Sequence, residues 1–281
     1  MKLGLALSGG GIRGFAHAGA LKALEENNIK IDILSGTSSG SIVATLYAMG
    51  ISPYYIYILA KKYAKEIVTS TNVPIITEIG NFMVNKKVRI NGFNSGEKLE
   101  EFLNTLSQKR GVSKISDINI PLIIPAVDIA SSKKYIFTSI TDNVYDNYIT
   151  DIPIGKAVRA SCSFPVMFSP CKYKKHLFMD GGILDNTPAM ELKKQNVDKI
   201  ISIKFDSDAV TLDSNIMDIV MKTIDIMGNK ISDESIEISD VVITIPTDGT
   251  GLLETEKLDL CYKAGYNAVM QNIEKIKKVL K

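Results

Sequence analysis

Histidine is scarce in this chain of 281 residues, which holds only His17 and His176. Any chemistry that needs an imidazole must draw on one of the two. Cysteine is nearly as rare. Cys162, Cys171 and Cys261 form an odd set without C-x-x-C spacing, which fits neither a disulfide framework nor a zinc site and favours a reducing compartment. Net charge is small as well: 33 Lys plus Arg against 31 Asp plus Glu leave +2, so no strong field selects a nucleic acid. One Lys and a short apolar run precede the first glycines, too little for a signal-peptide core, and the expectation is a cytoplasmic protein. Internal repeats and low-complexity tracts are missing too.

Charge is also missing locally. Residues 33–60 carry none, and IVATLYAMGISPYYIYILA has the length of a membrane span. Gly50 and Pro53 interrupt that run, and polar GTSSGS precedes it, so two buried helices meeting at a turn fit better. The closing segment IEKIKKVLK offers Lys275, Lys277, Lys278 and Lys281 to an anionic membrane surface, making peripheral contact an expectation to weigh. The same lysines suit the negative end of a helix dipole, which is the preferred reading.

What is present is a 45% hydrophobic composition, ample for the core of one large domain over residues 1–281. Strand-like apolar runs (LGLALS, IDILSG, PLIIPAVDI, KKYIFTS, KHLFMD, DKIISIKF, VVITIP) alternate with helical patterns nearly throughout. That rhythm predicts a three-layer α/β/α sandwich with a mainly parallel central sheet covered on both faces. Residues 64–94 break the rhythm, and either a surface insertion or lid or an ordinary long connection is expected there. A helix resumes at Ser95, whose hydroxyl is placed to cap GEKLEEFLNTL.

Three short stretches carry the chemistry. LALSGGGIRGF sets Gly9, Gly11 and Gly14 in the G-x-G-x-x-G spacing of a dinucleotide loop. A dinucleotide fold also needs an acid at the tip of the second strand, and Asp32 lies before that strand's apolar residues. The tip instead reads Gly36-Thr37-Ser38-Ser39-Gly40, a G-x-S-x-G pattern in which small residues let a sharp strand-to-helix turn hold the serine hydroxyl exposed. Ser38 is then a nucleophile candidate. Gly9, Gly10 and Gly11 gain a task beside it, since attack on a carbonyl creates an oxyanion that needs convergent N–H donors.

A base is required. His17 sits early in a helix rich in small residues, where packing or capping is expected. His176 precedes Asp180 by four residues, roughly 13 Å apart on a strand at about 3.3 Å per residue, too far to orient on it. Asp180 ends an apolar run and is followed by Gly181 and Gly182, which leaves a carboxylate at a strand tip with room beside it. Beside Ser38, it reads as a base that takes the serine proton directly.

Taken in order, GGGIRG, GTSSG and DGG resemble the signature of the patatin-like phospholipases. ASCSFPVMFSP, DNTP and the closing GTGLLETEKLDLCYKAGYNAV are similar to further parts of that family. The resemblance implies lipid acyl hydrolysis by a Ser38–Asp180 dyad on a nucleophile elbow. It also implies an oxyanion hole around Gly10 and Gly11. Arg13 matches the family's basic position in the glycine loop, where its guanidinium can meet a lipid phosphate or brace the loop, and bracing is the preferred reading. A lipid or other acyl ester is the implied substrate, and neither metal nor cofactor is required. Two rivals stay open: a nucleotide-binding oxidoreductase using the glycine loop, and a catalytically silent scaffold.

Overall fold

The computed structural model describes residues 1–70, 92, 94–142, 145–206, 216–247 and 249–281. Strands β1 (Leu3–Leu7), β2 (Ile33–Gly36) and β3 (Leu122–Asp128) are buried along their whole lengths. This is the outcome expected of parallel strands covered on both faces. β4 (Lys133–Thr138), β5 (Tyr148–Ile149), β6 (Cys171–Tyr173), β7 (His176–Asp180), β8 (Lys199–Phe205) and β9 (Val241–Ile245) complete the sheet. Its order is β5-β4-β3-β2-β1-β8-β9, with the β6–β7 hairpin joined through β7 to β3.

The period of two along each strand divides the core. Leu3, Leu5, Leu7, Leu34, Leu122, Ile124 and Ile201 point to the larger face. Ala6, Ile33, Ile123 and Ile200 point to the other, under Ala189 and Leu192. On the larger face lie α1 (Ala16–Glu26), α2 (Ser39–Ala48), α3 (Pro53–Thr69), α4 (Glu97–Gln108), α5 (Ile154–Ser161) and the C-terminal α8 (Leu258–Val279). The short α6 (Ala189–Lys193) and α7 (Ile216–Glu237) pack together against the opposite side. The sandwich expected from the rhythm is therefore present, with antiparallel pairing confined to β3–β4, β3–β7 and β6–β7.

The uncharged run resolves into α2 and α3, separated by a turn in which Gly50 adopts φ 76° and Ser52 caps Pro53 at the first helical position. Among the described residues no helix is long and apolar enough to cross a membrane. The expected break at residue 64 comes later, because α3 continues to Thr69 with Ala64 buried beneath it. The remainder of that segment, residues 71–91, lies outside the described residues. Ser95 does receive the Glu97 amide, at 3.3 Å, but Gly96 occupies the cap position of α4.

One pairing feature positions the strand ends that carry Ser38 and Asp180. β3 gives its whole second half to β4 on one edge, while two strands share the other edge. β2 runs parallel to its first half (Leu34 opposite Leu122, Ser35 opposite Ile123). β7 runs antiparallel to its second half (Ala126 opposite Asp180, Asp128 opposite Phe178). The C-terminal ends of β2 and β7 thus approach each other head to head along a single edge.

Helices α1 and α8 cross closely at Gly19 and Gly265: a Cβ on the first would strike the Tyr262 carbonyl and on the second the Ala16 carbonyl. Both obstacles are helix backbone, which cannot rotate away. For Gly265→Ala, the helix-propensity gain of about 1 kcal/mol is outweighed by overpacking of about 1–3 kcal/mol. The urea midpoint of the variant is expected below that of the parent. An equal or higher midpoint would mean that the two helices separate freely.

Candidate active site

Ser38 sits between β2 and α2 with φ 52° and ψ −126°, a backbone conformation that costs of order 1–3 kcal/mol in a non-glycine residue. The local sequence makes this turn possible. A Cβ at Gly36 would press on the Gly40 carbonyl carbon at 2.7 Å, and one at Gly40 would press on the Ser8 carbonyl oxygen at 2.6 Å. The turn is then pinned from several sides. Thr37 donates its amide to the Leu7 carbonyl at 3.1 Å and its hydroxyl to the Asp185 carbonyl at 2.7 Å. Ser41 donates its amide at 2.8 Å and its hydroxyl at 2.6 Å to the Ser38 carbonyl.

Asp180 arrives at the end of β7, 1% exposed. Its amide donates to the Ser163 carbonyl at 3.0 Å, and its Oδ1 accepts the Gly182 amide at 2.8 Å. Among the described residues its Oδ2 has no hydrogen-bond partner. Burial pushes the carboxyl up to about 7; the Gly182 amide and the nearby Ser38 hydroxyl pull the other way without cancelling it. The Ser38 hydroxyl therefore lies near enough to favour the carboxylate as a donor, although among the described residues no partner meets hydrogen-bond geometry at Oδ2. Gly181 lies against the Pro125 carbonyl, where a Cβ would collide, and Gly182 forms part of the cavity wall.

The glycine loop follows β1 on the neighbouring strand. Gly9, Gly10 and Gly11 all line the cavity that contains Ser38 and Asp180. Their amides are not equivalent. Gly9 donates to the Asn186 carbonyl at 3.1 Å and Gly10 to the Ser39 hydroxyl at 3.1 Å. Among the described residues the Gly11 amide has no partner, and neither does the Ser39 amide that opens α2. Expecting Gly9 as an oxyanion donor is corrected on this point: its N–H is spent on Asn186, and what the position needs is the missing side chain, since a Cβ would lie 2.6 Å from Asn186 Oδ1. Arg13 is buried, with Nε donating to the Gly10 carbonyl at 3.1 Å and its guanidinium over the Phe205 ring at 5.8 Å. Gly14 is the point at which the loop rests on Ser39.

Neither imidazole enters the site. His17 Nε2 lies 2.8 Å from the Ser8 carbonyl, its ring packs on Phe205, and complete burial drops it to about 4. His176 faces Asp128 at 3.1 Å, at the other end of β7 from Asp180. Burial there opposes ionisation of Asp128, but hydrogen bonds from the Leu177 amide, the Ser131 hydroxyl and His176 outweigh it and bring that carboxyl to about 2. Asp32 sits at the N-terminal end of β2, accepting the Leu3 amide at 2.9 Å. That is the wrong end of the sheet for a ribose, which removes the dinucleotide reading.

The cavity has a volume of ≈ 140 Å³ and is bounded chiefly by apolar side chains. Ile42 and Leu46 of α2, Ile56, Leu59 and Ile67 of α3, Leu99 and Phe102 of α4, and Phe164 and Phe168 form its walls. None of these could be singled out from sequence, because apolar helix residues that line a cavity look the same as those that fill a core. Asn186 and Cys162 also reach it. Their segments, DNTP and ASCSF, are legible as motifs, but their roles are not.

The patatin-like phospholipase family matches residues 5–193. Curated relatives include the lysophospholipase NTE1 of Meyerozyma guilliermondii, 32% identical over 210 residues, which covers 72% of this chain and 12% of that protein. The lysophospholipase NTE1 of Debaryomyces hansenii is 30% identical over 207 residues, with the same 72% and 12% coverage. The chain thus spans only a small part of the length of these relatives. Among solved structures, VipD from Legionella pneumophila superimposes with a TM-score of 0.54 at 17% identity, covering 98% of this chain and 66% of that one. ExoU of Pseudomonas aeruginosa, in its complex with SpcU, gives 0.53 at 19% identity, covering 98% and 51%. Both likenesses concern the fold. Since the glycine loop, the elbow and the Asp-Gly-Gly strand end all fall within the matched stretch, the chain belongs to the patatin-like phospholipase family.

Proposed function

We propose that this protein hydrolyses carboxylic esters of lipids, with Ser38 as nucleophile and Asp180 as its base. The observation that carries the reading is one atom: Asp180 Oδ2, buried and without a partner among the described residues, on a residue that lines the same apolar cavity as Ser38. A buried acceptor left open costs stability, and such costs persist where a ligand or a transferred proton will use them. The curated relatives, lysophospholipases by name, support a single-chain lipid ester as the substrate class. The cavity walls agree, being suited to an acyl chain rather than to a polar group.

In this scheme the acyl chain lies along α2, α3 and α4, bringing the ester carbonyl to Ser38. Asp180 Oδ2 takes the hydroxyl proton as Oγ bonds to the carbonyl carbon. The oxyanion faces the amides of Gly11 and Ser39, which have no partner to give up, and the Gly10 amide can join them if the Ser39 hydroxyl swings aside. Collapse breaks the ester C–O bond, and Asp180 returns the proton to the departing alcohol. Water then attacks the acyl-Ser38 ester with Asp180 again as base, the Oγ–C bond breaks, Oγ takes back the proton and the fatty acid leaves.

Ser38→Ala is expected to fold, to lose turnover of p-nitrophenyl butyrate by at least about 10³-fold, and to lose labelling by a fluorophosphonate probe. Retained turnover would remove Ser38 from the chemistry, and an inert parent chain would favour the silent scaffold.

The pH dependence follows from Asp180. A base must be ionised, and burial raises this carboxyl from 3.8 to about 7. kcat/KM should therefore climb as pH rises toward about 7 and level off above it. The stability sign is opposite. The folded state prefers the protonated acid, so the carboxyl's contribution is most favourable below pH about 4 and is lost as pH rises through about 7. Asp180→Asn is expected to be inactive yet to have a higher urea midpoint than the parent at pH 8, with the difference vanishing near pH 4. A flat rate profile between pH 5 and 8 would contradict the assignment.

A further inference from the structure

The head-to-head meeting of β2 and β7 leaves a gap in the ladder along β3. Ser35 is paired to Ile123 and Asp180 to Ala126, so the β3 edge between them has no strand beside it. Pro125 falls in that gap. It has no N–H to satisfy, but its buried carbonyl still needs a donor. The donor is a side chain: the Ser161 hydroxyl gives its hydrogen to the Pro125 carbonyl at 2.7 Å. The Ser161 hydroxyl oxygen in turn accepts the amide of Ser38 at 3.1 Å.

Resting on the assignment of Ser38 as nucleophile, we infer that Ser161 is a positioning residue, whose buried hydroxyl ties the strained nucleophile turn to the central strand. The tie acts where the turn is least stable by itself. Ser38 has a positive φ, a state that persists only when its surroundings over-determine it, and its carbonyl is already held by Ser41. Ser161 holds the other side of the same residue. It is 0% exposed at the end of α5, so water does not replace it cheaply. Two residues later, the Ser163 carbonyl accepts the Asp180 amide at 3.0 Å. One short segment therefore bonds the backbone amides of both members of the pair, and ties Ser38 to β3, through groups other than the Ser38 hydroxyl and the Asp180 carboxyl.

Removing such a tie should loosen the approach angle of Ser38 Oγ rather than the fit of the acyl chain. Loss then appears in kcat and not in KM. A matched control exists in Ser235, a 7%-exposed hydroxyl that likewise accepts an amide (Met190, 2.8 Å) and donates to a carbonyl (Thr187, 3.0 Å).

The test compares the full chain with Ser161→Ala, Ser235→Ala and Ser38→Ala. Turnover of p-nitrophenyl butyrate, the second-order rate of fluorophosphonate labelling and the urea midpoint are measured for each. Ser161→Ala is expected to lower kcat and the labelling rate together by about tenfold, the scale of one buried hydrogen bond, with KM within about twofold. Ser235→Ala is expected to lower the midpoint comparably and leave both rates alone. Unchanged kcat in Ser161→Ala, or an equal rate loss in Ser235→Ala, would overturn the inference. Activity surviving in Ser38→Ala would instead bring down the nucleophile assignment beneath it. Should Ser161→Ala not fold, Ser161→Cys fills the same space with a weak acceptor, and the same split of kcat from KM is required of it.

Discussion

The divided edge of β3 is the constraint on which this structure turns. A strand edge normally belongs to one neighbour, whose hydrogen bonds run its length. Here β2 stops after four residues and β7 enters from the opposite direction, so two C-terminal strand ends face each other across a short unpaired stretch. Ser38 and Asp180, separated by 142 positions in sequence, are brought into one cavity by that arrangement. The glycine loop comes from β1, the next strand, so all three chemical elements converge at one end of the sheet.

Holding that convergence is costly, and the costs are concentrated. Ser38 stays in a strained conformation, and Asp180 is buried with one oxygen open and its acidity weakened. The surrounding bonds that offset these costs are backbone-directed almost without exception. Thr37 reaches the Asp185 carbonyl, Gly9 the Asn186 carbonyl, and Arg13 the Gly10 carbonyl. Such bonds fix geometry while leaving the reactive side chains uncompensated, which is the condition a buried nucleophile and base need.

The absence of an imidazole from the site has a plain physical account. His17 is committed to the Ser8 carbonyl, and His176 to Asp128 at the far end of β7. A carboxyl can serve instead only if its pKa stands near the working pH, and for Asp180 burial supplies that shift. In the proposed mechanism, the same desolvation that penalises the carboxylate brings it into the range a base needs.

Some of this was determined by the sequence alone. The alternation of apolar runs specified a covered parallel sheet, because only strands buried on both faces can be apolar throughout. Gly36, Gly40, Gly181 and Gly182 marked the sharp strand ends, since no other residue type leaves the backbone that room. The misplacement of Asp32 also argued from sequence against a nucleotide. Other features could be decided only by tertiary structure. Whether a glycine amide is free depends on what stands opposite it, and it was Asn186, 177 positions away, that took the Gly9 donor. The cavity walls come from helices whose apolar stripes carry no mark of whether a core or a channel lies beneath. Ser161 looked like any small residue at a helix end; its bonds to Ser38 and Pro125 exist only because two strands stop short of one another, a fact of long-range pairing that no local pattern encodes.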